Sequence, residues 1–127
     1  VSPLVHKLLQ RSGTAIGSFR PLQLSRLAWS MASAQLQDPT LLEAIASQAA
    51  KHEKDLHPER GLAMTAWAFA KLHHHDEGLT RALTSQAHLH VALFKVNELS
   101  NVSWAFATMQ ATNVGPVMAA VAANAIP

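Results

Sequence analysis

The sequence predicts an all-α fold, an α-solenoid of paired antiparallel helices. Three observations carry that expectation: a tryptophan-centred pattern that occurs three times, capping residues at a fixed offset from each tryptophan, and apolar spacing of helical rather than strand type. Trp29, Trp67 and Trp104 stand 38 and 37 residues apart. Leu24, Leu62 and Leu99 lie five places before them; Met31, Phe69 and Phe106 lie two places after; Ala32, Ala70 and Ala107 lie three after. Phe19, His57 and Phe94 complete the pattern ten places before.

The elements follow in order. Residues 3–12 read as the second helix of a preceding unit, ended by Gly13. The first helices fall near 22–36, 60–73 and 97–111, and the second helices near 39–54, 77–92 and 115–125. Nine places after each tryptophan come Asp38, Asp76 and Asn113, side chains suited to accept from the free N–H groups of a second helix. Pro39 and Pro116 sit at second-helix starts, where a missing N–H costs little. The single domain, 1–127, divides into 1–18 (the end of a preceding unit), 19–56, 57–93 and a partial unit, 94–127. Gly13, Gly17, Gly61, Gly78 and Gly115 read as turn or terminus residues.

Turning about 100° per residue sorts the faces of each first helix. The leucine, the Met or Phe, and Ala34, Leu72 and Met109 form a seam toward the unit's own second helix. Beside it lies a flank of small residues, Ser25, Ala28 and Ala32 in the first unit, Ala63, Ala66 and Ala70 in the second, Ser100, Ser103 and Ala107 in the third. Small side chains let a neighbouring helix approach closely, with the tryptophan filling the gap at the margin. A last stripe reads Arg26, Ser30, Ser33, then Met64, Ala68, Lys71, then Asn101, Ala105, Thr108. Its outer positions change character between units while the framework repeats. Such a stripe is either a ligand-reading surface or a solvent face free to vary.

Composition narrows the function classes. Charged residues are 14% of the 127, against roughly 25% in an average soluble protein, so either the chain buries more than its size suggests or part of its surface is covered by something else. The formal charge is +2 and no cysteine is present, which excludes a disulfide scaffold and thiolate chemistry. The chain starts at Val1 with no recognisable signal or transit segment and reads as a processed form or a fragment. Leu99 to Pro127 contains no charge, but polar residues and Gly115-Pro116 interrupt it. A membrane span needs about 20 predominantly apolar residues, so no span is expected.

No catalytic constellation stands out. There is no nucleophile elbow or Gly-rich phosphate loop, and the chain is read as a non-enzyme without cofactor. His73, His74 and His75 are consecutive and point in different directions; His88 and His90 lie on opposite sides of a helix. Neither set has the convergent spacing of a zinc site, and no metal is expected. The three tryptophans and four phenylalanines occupy repeat-equivalent positions and are read as framework rather than as a base-stacking platform.

The stretch Leu62-Ala63, then Ala66 through Leu72, resembles the first-helix motif of octotricopeptide-type repeats. These are paired-helix units of about 38 residues in organellar RNA-processing and translation factors. Similar repeats accompany RAP-domain and FAST-kinase-like proteins. Leu24–Ala32 and Leu99–Ala107 resemble the same core more loosely. One departure stands out: a Pro-Pro-Pro-Glu-Trp-like entry to the second helix is replaced here by "QDPTLLEA", "HDEGLTRA" and "TNVGPVMA".

The resemblance implies a chloroplast or mitochondrial protein whose first-helix stripe (Arg26, Ser30, Ser33, Met64, Lys71, Asn101 and Thr108) faces single-stranded RNA, about one nucleotide per unit. Arg26 and Lys71 would meet phosphates or base edges, and Ser33, Asn101 and Thr108 would hydrogen-bond bases. The competing expectation is a structural subunit of a large assembly. The last stretch, "GPVMAAVAANAI", lacks a polar outer face, and Met118, Val121 and Ile126 would then be covered by further repeats or a partner protein.

Overall fold

In a computed structural model, residues 2–56 and 59–109 are described, with Glu59 and Arg60 described by their backbone alone. The described residues form α-helices and short 3₁₀ turns, with no strand among them. The α-helices are α1 (Pro3–Thr14), α2 (Pro21–Ser33), α3 (Pro39–Lys51), α4 (Glu59–Lys71), α5 (Glu77–His90) and α6 (Val96–Met109).

Local chemistry explains where these helices begin. Ser2, Asp38 and Asp76 are N-caps whose side chains accept from Val5, Leu41 and Leu79 N–H at 3.1, 3.1 and 2.8 Å. The aspartates are the caps expected for the second helices; Asn113 lies outside the described residues. α2 and α6 use another device. The Gln23 side chain accepts from the Arg20 N–H at 2.9 Å, and Glu98 accepts from the Lys95 N–H at 2.8 Å. Each satisfies an orphan donor ahead of the first turn, as the returning half of a capping box does.

Helix ends depart from the sequence expectations in systematic ways. α1 passes through Gly13 to Thr14, so that glycine does not end it. α2 and α4 stop two to three residues early, because Gln35 and His73, six places past their tryptophans, take φ of 55° and 53°. Leu36 and His74 N–H then bond back to Met31 and Phe69 carbonyls at 2.8 and 3.1 Å, closing the termini in the manner of a Schellman cap. α1, α3 and α5 are each followed by a 3₁₀ turn, at Ile16–Ser18, Glu53–Asp55 and Val91–Leu93, a recurrent feature that side-chain periodicity did not announce. The expected helix at 115–125, with Gly115 and Pro116, lies outside the described residues.

The tertiary contacts fall into two rows. α4 packs against α2 and α6, and α3 packs against α1 and α5, while α2 and α4 each also pack on the next helix in the chain. Between the rows lies a core that includes Leu24, Met31, Leu42, Ile45, Leu62, Phe69, Leu83 and Phe106. Most seam residues are buried as expected; Met109 is partly buried, and Ala34 is exposed because it caps α2 rather than continuing it.

The small flank lets α2 and α4 come close. The Thr65 hydroxyl lies 2.8 Å from the Ser25 Oγ, and a Cβ on Gly61 would meet that same Oγ at 3.3 Å. Gly61 is thus a packing position and not only a terminus residue. On α6 the equivalent flank, Ser100, Ser103 and Ala107, is exposed or half-buried. Among the described residues, no helix is long and apolar enough to cross a membrane.

Candidate nucleic-acid interface

The side-by-side packing of α2, α4 and α6 leaves a groove of about 910 Å³ along their common face. Position three before the tryptophan supplies Arg26, Met64 and Asn101 to it; Trp29 and Trp67, with Ser30 and Ala63, add to the same wall. Lys95, Asn97 and Glu98, at the start of α6, close the other side.

Four of the seven stripe residues named from sequence therefore meet in one groove: Arg26, Ser30, Met64 and Asn101. Ser33, Lys71 and Thr108 lie further along the same three helices, Ser33 and Lys71 by about one turn and Thr108 by about two, outside its lining. Arg26, Ser30, Ser33, Lys71 and Asn101 are exposed, whereas Met64 and Thr108 are partly buried. The Ser30 hydroxyl donates to the Arg26 carbonyl at 2.8 Å, which leaves its oxygen lone pairs toward solvent as acceptors.

Two parts of the sequence reading need correction. Ala68 and Ala105, at the middle position of the last stripe, are fully buried, while Ser30 at the same register is exposed. α4 is flanked by α2 and α6 by α4, so this register faces a neighbouring helix in both.

The tryptophans are the second correction. Trp29 and Trp104 keep 46% and 45% of their surface exposed, and Trp67 is half-buried. Trp29 and Trp104 are thus not buried framework, whereas Trp67 packs partly against the core and Phe69, Phe94 and Phe106 are buried as expected. The helical turn explains the difference. Five residues back and two residues on both lie about 140–160° around the helix from the tryptophan, so the seam that buries Leu24 and Met31 turns Trp29 away from the core. The spacing itself carries this signal, whereas aromatic character alone does not separate buried from exposed rings.

The groove joins aromatic surface to positive charge. The Trp29 and Trp67 ring centres are 6.4 Å apart with the planes tilted by 32°, within the range of favourable aromatic pairs. Lys71 Nζ lies 5.5 Å from the Trp67 ring centre, a cation–π distance. Arg26 and Lys95 contribute two cationic side chains to the lining against one carboxylate, Glu98, and that carboxylate is occupied in capping α6. Lys95, Asn97 and Glu98 were not anticipated from sequence, because they precede the repeated core of the first-helix pattern.

His74 meets the Phe69 ring edge-on at 5.8 Å between centres, and the described residues hold no group of three or more His, Cys, Asp or Glu that could bind a metal. Met118, Val121 and Ile126, named for partner contact, lie outside the described residues.

No protein-family model, curated protein or solved structure matches this chain.

Proposed function

We propose that this chain is a segment of an α-solenoid built from paired antiparallel helices, and that it binds single-stranded RNA along the groove of α2, α4 and α6. One observation carries the reading: exposed tryptophan surface and the cationic side chains Arg26 and Lys95 share a groove whose lining holds a single acid. Single-strand binders combine such a positive track with aromatic surface. On this reading the chain is a non-catalytic RNA-processing, stability or translation factor in a chloroplast or mitochondrion, as its likeness to octotricopeptide-type repeats implies.

Fluorescence anisotropy with short single-stranded RNA pools tests it. Contacts from Arg26, Lys71 and Lys95 to three phosphates correspond to a log–log salt slope of about −2 for a single strand, so affinity should fall roughly 20-fold between about 50 and 200 mM salt. Absence of binding at the lower salt, from a sample that is helical by circular dichroism, would overturn the reading.

A specific observation favours the scaffold reading as the alternative. Leu89, Leu93 and Val96, around the α5–α6 connection, are 68%, 60% and 84% exposed. Apolar side chains concentrated in one short segment suit a protein partner. A chain without RNA affinity whose association with other subunits is lost in Leu93→Glu or Val96→Glu would favour it.

A further inference from the structure

We propose that Trp29, in the groove lining, and Trp104, on α6 beyond that lining, are base-stacking platforms, so that a strand following the groove is held by the faces of unpaired bases as well as by phosphate charge. The inference rests on the RNA reading above and specifies what that surface recognises.

Two observations lead to it. First, two tryptophans at the same repeat position, on α2 and α6, each leave nearly half their surface uncovered, whereas Phe69 and Phe106, two places on from Trp67 and Trp104, are buried. The indole is placed by the helical turn on the side away from the core, so core packing does not account for it. Second, positive charge lies near two of the rings. Arg26 stands one turn before Trp29 on α2, and the Lys71 ammonium already lies 5.5 Å from the Trp67 ring.

A base laid on Trp29 adds a third ring to the Trp29–Trp67 pair, whose centres are 6.4 Å apart. Its phosphates then run beside Arg26 and Lys71. Trp104 repeats the platform two units later. Every base has a π-face, so stacking tolerates sequence. Asn97 and Asn101, one turn apart on α6, supply amide groups that can hydrogen-bond base edges beside the groove.

The experiment uses the full chain and three labelled probes: oligoadenylate and oligouridylate of about eight nucleotides, and a matched sugar–phosphate strand without bases. Stacking predicts that the base-free strand binds about 5- to 150-fold more weakly than oligoadenylate for each platform engaged. The Trp29→Ala/Trp104→Ala variant should lose that difference while binding the base-free strand as the parent does. Trp29→Phe/Trp104→Phe, which keeps a flat ring, should retain most of it and controls for folding.

The chain has three Trp and no Tyr, so indole emission reports on these residues alone; oligoadenylate should quench it, with the quenching reduced in the phenylalanine variant. Equal affinity for strands with and without bases overturns the platforms and leaves the RNA reading standing. Failure of all three probes to bind removes both.

Discussion

The ammonium of Lys71 lies over the ring of Trp67, 5.5 Å from its centre and four residues further along α4. Lys71 is exposed and Trp67 half-buried, and an exposed cation–π contact contributes about 0.5–1 kcal/mol. The same geometry places a positive charge one turn beyond the groove lining on α4. Lys71→Ala should therefore lower stability by no more than about 1 kcal/mol, while making the salt slope of RNA binding shallower by about 0.7, the share of one phosphate contact on a single strand. An unaltered slope in anisotropy titrations would take Lys71 out of the interface.

The α2–α4 contact offers a double-mutant cycle. Gly61→Ala adds helix propensity of up to about 1 kcal/mol, but its Cβ would approach the Ser25 Oγ to 3.3 Å. The Ser25 hydroxyl also bonds to the Pro21 carbonyl at 3.0 Å and sits 2.8 Å from Thr65 Oγ1, so it has little room to move. Gly61→Ala alone should be neutral or destabilising. In a Ser25→Ala background it should stabilise, with a coupling of about 0.5–1 kcal/mol between the two changes. Urea denaturation of the four proteins gives the coupling directly, and additive effects would show that Ser25 does not limit the approach.

Gln35 and His73 hold left-handed backbone conformations at equivalent ends of α2 and α4. Glycine adopts such φ values without the Cβ clash. Gln35→Gly and His73→Gly should each raise stability by a few tenths to about 1 kcal/mol, whereas Gln35→Ile should lower it by about 1 kcal/mol or more. Thermal and urea melts followed by circular dichroism check the order glycine, parent, isoleucine. Any other order would mean that the side chains at these positions contribute more than the backbone does.

Glu77 and Arg81 form an i,i+4 ion pair at 2.6 Å on the exposed side of α5. The Arg81 hydrogen bond, followed by its charge, holds the Glu77 carboxyl below its ordinary 4.5. A carboxylate with a depressed folded-state pKa stabilises the fold above its unfolded pKa, and that contribution is lost as pH falls through the folded value. Arg81→Ala should therefore move the Glu77 midpoint upward in a carbon-detected NMR titration. The stability difference between parent and variant, present at neutral pH, should disappear in acid below the folded midpoint. A Glu77 midpoint unchanged by the substitution would exclude Arg81 as the cause.

Much of the helical layout was legible because helix starts are local events. Asp38, Asp76, Pro39 and the tryptophan spacing act within a turn or two of the chain, and they place α3 and α5 at their observed starts. Helix ends were less legible. The left-handed residues that stop α2 and α4 are Gln35 and His73, not the glycine or asparagine that ordinarily advertises such an end. Within the candidate site, Arg26, Ser30, Met64 and Asn101 were found because they share a helical stripe. Lys95, Asn97 and Glu98 were missed because they reach the groove from the start of α6, outside the repeated stripe.

By itself, the sequence determined that helices recur at intervals of 37 and 38 residues and which side of each first helix is apolar, since periodicity and capping depend on neighbours within a few residues. Only the tertiary structure decided which remaining positions are covered. Ser30, Ala68 and Ala105 share one register, yet the serine is exposed and the alanines are buried. The tryptophans repeat in sequence, yet two of them stay nearly half open. Burial is a property of what packs alongside, and here the neighbours on α2, α4 and α6 come from about forty residues away along the chain.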